Sequence, residues 1–103
     1  MQLTDEILFA ARNYLNITWN DAGENEKLSG ILSRGMQYLN QIAGTELDYE
    51  AEDSPKALLF EYARYVRAEA LDEFQSNYLH ELLSLQIREE AKRYDSEQSD
   101  TDV

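Results

Sequence analysis

The sequence predicts an all-α protein: a small four-helix bundle with long C-terminal helices and a disordered acidic C-terminal tail. Three observations predict it. Proline occurs once and glycine four times in 103 residues, while leucine, alanine, glutamate and arginine are plentiful. So few breakers among good helix formers favour helices. Apolar residues recur at intervals of three and four along each long segment, the helical period. Start and stop signals (Thr4, Gly44, Ser54 followed by Pro55) fall at intervals that suit helices. A chain of 12.0 kDa has room for one modest core. One helical domain is therefore expected over residues 1–94, followed by a flexible tail over 95–103.

Helix one is expected from about Asp5 to Asn16. Thr4 suits its N-cap, and Asp5 and Glu6 favour the positive end of the helix dipole. Ile7, Leu8, Ala11, Tyr14 and Leu15 form its apolar face. Ile17-Thr18-Trp19-Asn20-Asp21-Ala22-Gly23 reads as a loop, because β-branched residues give way to Asn, Asp and Gly. Helix two is expected from about Glu24 to Ala43, with a buried stripe of Leu28, Ile31, Leu32, Gly35, Leu39, Ile42 and Ala43. Gly30 and Gly35 inside it point to close packing on a neighbour. Gly44 suits the left-handed position that ends a helix. Thr45 to Asp53 is a loop with five acids in nine residues, pinned by Leu47 and Tyr49.

Helix three has the clearest start, with Ser54 as N-cap and Pro55 in the first turn, where a missing N–H costs nothing. It continues to about Leu71 or Phe74. No proline or glycine separates it from helix four, so a break is expected only somewhere between Asp72 and Asn77. Helix four carries Tyr78, Leu79, Leu82, Leu83 and Leu85 or Gln86 and runs to about Tyr94. Residues 95–103 hold four acids, no base and one apolar residue. They bury too little to offset the entropy of ordering, so the tail is expected to order only against a partner, if at all.

Charge narrows the function. Twenty-one acids against nine bases give −12 at neutral pH. A nucleic-acid binder needs a basic footprint, and anionic membranes repel such a chain. No apolar run approaches the ~20 residues that cross a bilayer. The absence of cysteine rules out disulfides and thiolate metal sites, and the N-terminus lacks a signal-peptide pattern. A soluble protein made in a reducing cytoplasm is expected.

No residue pattern points to catalysis, a metal or a cofactor. His80 is the single histidine. Asn77 stands three residues before it, so the Glu-x-x-His pattern of bundle metal sites fails. The Asn20-to-Glu26 stretch lacks the residue order of a calcium loop. No phosphate-binding glycine loop occurs.

Helix three is more informative. Leu58, Leu59, Tyr62, Ala63, Val66 and Ala70 form one wide core face. Phe60, Arg64, Arg67 and Leu71, at i, i+4, i+7 and i+11, share a second stripe. Aromatic and arginine residues together are typical interface anchors. Two readings stand: an assembly face, or a helix buried on both sides with its arginines snorkelling. Trp19 poses the same choice of core plug or contact anchor. Seven tyrosines exceed what so small a core needs, and several, Tyr65 and Tyr94 among them, are expected at an interface. Arg88 and Arg93 complete the contact candidates near the chain's end.

Several short motifs together resemble a known family. Ile17-Thr18-Trp19-Asn20-Asp21 follows a short helix. Lys27-Leu28 opens a helix that carries Tyr38-Leu39, and Gly44 and Leu47-Asp48-Tyr49 come next. Ser54-Pro55-Lys56-Ala57-Leu58-Leu59 leads into Glu61-Tyr62-Ala63-Arg64-Tyr65. Asp72-Glu73-Phe74, Asn77-Tyr78 and Glu81-Leu82-Leu83-Ser84-Leu85 close the pattern, which spans about residues 3–90. It resembles the head-to-tail connector, or adaptor, proteins of tailed siphophages. The resemblance implies a non-enzymatic virion protein without cofactor. It would form a ring of its own copies, a dodecamer, beneath the portal protein. That ring would extend the DNA channel without binding DNA specifically and would offer a docking site to a stopper or tail-completion protein. Helices three and four would build subunit contacts, and the end of helix four with the tail would reach the portal. The stopper protein would meet Trp19–Gly23 or Asp48–Asp53. An acidic DNA-mimic inhibitor is the alternative that charge alone suggests. A small enzyme or metal protein is the third class, with His80 its best residue.

Overall fold

A computed structural model describes the backbone of residues 2–101 and the side chains of residues 2–96. All its regular structure is helical: α1 (Asp5–Tyr14), α2 (Ala22–Ala43), α3 (Ser54–Arg67), α4 (Leu71–Asn77) and α5 (Leu79–Thr101). The fold class agrees with the expectation. The count does not, because five helices stand where four were expected among the described residues.

Local chemistry accounts for most helix ends. Thr4 caps α1 by accepting from the Ile7 N–H at 3.2 Å. Asp21 caps α2 and accepts from the Gly23 N–H, so α2 begins two residues before the expected Glu24. Asp53, not Ser54, is the N-cap of α3. Its carboxylate accepts from the Ser54 N–H at 2.7 Å, and that bond holds its pKa below the usual carboxylate range. The one-residue difference arises because Asp and Ser both cap well and the aspartate comes first.

The core lies where α2 meets α3 and α5, with α1 on α2 and α4 bridging α3 to α5. From α2 it takes Leu28, Ile31, Leu32, Met36, Leu39 and Ala43, spaced by three and four. Gly35 earns its place here. A Cβ on it would lie 2.7 Å from Tyr62 Cδ1 and 2.8 Å from Leu59 Cδ1, so the α2–α3 approach needs a missing side chain. The acidic loop after α2 is pinned as expected, with Leu47 and Tyr49 buried. Asn40 Oδ1 accepts from the Leu47 N–H at 3.1 Å and from the Tyr49 hydroxyl at 2.7 Å.

Helix three ends earlier than expected, at Arg67. Glu69 takes a left-handed φ of 57°. The Glu69 N–H donates to Val66 O and the Ala70 N–H to Tyr65 O, a Schellman closure with a glutamate where glycine is usual. The short α4 follows without a side-chain cap and buries Phe74 completely. Phe74 stacks on Tyr78 at 5.1 Å and meets Tyr62, Tyr65 and Tyr38 at 5.8, 5.8 and 6.5 Å between ring centres. This cluster is the reason for the break. A straight continuation of α3 would carry Phe74 away from the three tyrosines of α2 and α3. It also uses much of the tyrosine excess that the sequence suggested for an interface. At the other end, α5 runs to Thr101, so Asp95–Thr101 has a helical backbone where a disordered tail was expected; Asp102 and Val103 lie outside the described residues.

Candidate interaction surfaces

Helix α5 carries two apolar faces. The inner one presents Leu82 and Leu85 to the core together with Glu89, which is 8% exposed. The outer one presents Leu79, Leu83, Ile87 and Tyr94, exposed by 56, 47, 65 and 62%. At about 100° per residue these four fall within a sector of about 80°, along about 22 Å of helix. A bundle helix normally has one apolar stripe and turns charge to water. The interleaved series 78–82–85–89 and 79–83–87–94 was the available signal, but it does not say which series faces inward.

The α5 cations are drawn to the inner side. Arg93 donates to the Ala43 carbonyl at 2.6 Å, closing the C-terminal end of α2. Arg88 pairs with Asp53 at 3.6 Å and Glu89 at 3.4 Å, and Lys92 with Glu89 at 3.1 Å. Glu90 is the charged residue left within the outer sector.

The second stripe of helix three is divided, with Phe60 buried and Arg64, whose side chain is 56% accessible, and Leu71 on the surface. Phe60 is 4% exposed and packs on Tyr14 of α1 with ring centres 5.4 Å apart, so it is a core residue and not part of an open face. Arg64 stands over the Tyr14 ring at 5.3 Å and lies 3.3 Å from Glu61. Arg67 pairs with Glu24 at 3.5 Å. Leu71, at the start of α4, is 36% exposed. Tyr65 belongs to the aromatic cluster, and its hydroxyl accepts from Asn77. What takes Phe60 out of the stripe is α1, which the helical wheel of α3 could not show.

Trp19 is an exposed loop residue, 51% accessible, whose carbonyl accepts from Arg12. Phe9, on the outer side of α1, is 64% exposed; the sequence reading did not single it out.

A groove of about 390 Å³ runs between α1, α3 and α5, lined by Tyr14, Leu58, Glu61, Tyr78 and Leu85. Glu61 accepts from the Tyr14 hydroxyl at 2.5 Å and the Tyr78 hydroxyl at 2.6 Å. The bond to Glu61, then burial, pushes Tyr78 up to about 12; burial, then Glu61, raises Tyr14. Both phenols stay protonated near neutral pH and serve as donors that lock the groove, not as nucleophiles.

Among the described residues no group of three or more His, Cys, Asp or Glu side chains could hold a metal ion, and no helix is long and apolar enough to cross a membrane. Comparison with protein-family models, curated proteins and solved structures gives no match to this chain.

Proposed function

We propose that this protein is a non-enzymatic assembly subunit, of the head-to-tail connector kind, that works by packing its α5 outer face against another chain. The outer face is the observation that carries the reading. Four large apolar side chains on one helix stripe cost free energy in water, about 25 cal/mol for each Å² left exposed, and contiguous apolar patches on a small protein usually mark a contact. Phe9 and Trp19 supply further exposed aromatic surface, and a closed ring needs two different contact faces on each subunit. The charge of −12 suits a conduit wall that DNA slides past without adhering. The short motifs quoted from the sequence point to the same kind of protein, with portal and stopper proteins as partners and the virion as destination.

Electron microscopy of purified portal mixed with this protein tests the reading. An added ring of density below the portal is expected, weakened when Ile87 and Leu83 are replaced by glutamate. A chain that leaves portal unchanged at micromolar concentrations overturns the connector assignment.

A further inference from the structure

We infer that the outer face of α5 takes a basic amphipathic segment of a different protein: a helix with apolar residues along one stripe and lysine or arginine beside it. This inference rests on the reading of that face as a contact surface, and it adds the chemistry of the occupant.

The distribution of charge selects the occupant. Every cation of α5 within the described side chains is already engaged on the inner side: Arg88 with Asp53 and Glu89, Lys92 with Glu89, Arg93 with the Ala43 carbonyl. What stands among Leu79, Leu83, Ile87 and Tyr94 on the outer side is the carboxylate of Glu90. The face is therefore apolar with an acidic group set within it, on a chain of net charge −12. Elsewhere Lys56, Arg64 and Arg67 are held by Glu52, Glu61 and Glu24, and Arg12 by the Trp19 carbonyl. A second copy would bring the same −12 with most of its cations tied up, so like charge opposes self-association on this face. A partner with basic flanks gains both terms, burial of its apolar stripe and attraction to Glu90 and the acidic chain around it, and opposite potentials also speed encounter. The helix-in-groove geometry of such contacts reads anchors at three- and four-residue spacing, the spacing of Leu79, Leu83 and Ile87.

The test uses the full chain and a labelled synthetic helix of leucines flanked by lysine and arginine, followed by fluorescence anisotropy. A control peptide has glutamate in place of every base. The basic peptide is expected to bind, the acidic one at least about tenfold more weakly. The double variant L83E/I87E, whose positions are solvent-facing and whose helicity is checked by circular dichroism, is expected to lose about tenfold or more. This variant is the discriminating arm. It makes the protein more negative, so binding driven by bulk charge alone would tighten, and that result overturns the inference. Equal binding of both peptides overturns it too. So does light scattering that shows a dimer of the wild-type chain dissolved by L83E/I87E, because the occupant is then a second copy. A portal ring that forms while neither peptide binds removes this inference and leaves the connector reading. Peptide binding without a portal ring does the reverse.

Discussion

Helices α2 and α3 both end on a residue in the left-handed conformation, and they do so for opposite reasons. Gly44 has φ 72° and Glu69 has φ 57°. Glycine takes that conformation at no steric cost, and a Cβ on Gly44 would also meet the Arg93 guanidinium, 2.6 Å from Nη1. The stop after α2 is thus written at the position itself. Glu69 sits between Ala68 and Ala70, three residues that prefer to continue a helix. Its turn is imposed from a distance, by the gain from burying Phe74 among four tyrosines. A helix stop can be local chemistry or the by-product of packing five residues further on.

Three substitutions break or sharpen this contrast. Phe74→Ala has the largest expected effect, a loss of about 3–5 kcal/mol in urea unfolding. Hydrogen exchange in residues 71–77 should rise more than in α2, since α4 has no side-chain cap to fall back on. If α4 keeps its protection, the aromatic cluster is not what bends the chain. Gly44→Ala comes next, with an expected loss of about 1–2 kcal/mol from the left-handed backbone, and with Arg93 displaced from the Ala43 carbonyl. Glu69→Gly is expected to act in the opposite direction, a gain of about 0.5–1 kcal/mol by thermal unfolding, because it relieves the strain. A loss there would mean that the glutamate side chain stabilises the turn by some contact of its own.

The same contrast explains what was legible in the sequence. The Thr4 cap, the Gly44 stop and the anchoring of the acidic loop by Leu47 and Tyr49 are short-range features, and all were readable; so was the α2 stripe, except that Met36 is buried where Ile42 was expected to be. The α3 start was readable to within one residue. The α3–α4 break was not, because nothing between Lys56 and Tyr94 signals a stop; only the three-dimensional meeting of Phe74 with Tyr38, Tyr62 and Tyr65 does. The interaction surface divides in the same way. Periodicity shows that α3 and α5 each have two apolar series. Deciding which series is covered requires knowing that α1 lies over Phe60 and that Ile87 stays 65% exposed among the described residues. So Phe60 moved inward, and Leu79 and Leu83 lie on the open side. Of the contact candidates, Trp19 and Tyr94 stayed exposed, whereas Arg88 and Arg93 turned out to fasten α5 to the rest of the fold.

The loop between α2 and α3 is the most acidic internal stretch of the chain, yet the clasp that buries Leu47 and Tyr49 is neutral. One amide oxygen, Asn40 Oδ1, receives both the Leu47 N–H and the Tyr49 hydroxyl. All three groups are neutral, and burial raises the Tyr49 pKa far into the alkaline range. An aspartate at position 40 could accept the same two bonds but would set another negative charge beside five. The amide spares the loop that repulsion. In consequence this clasp should feel neither added salt nor any ordinary change of acidity, while the ion pairs around it come and go.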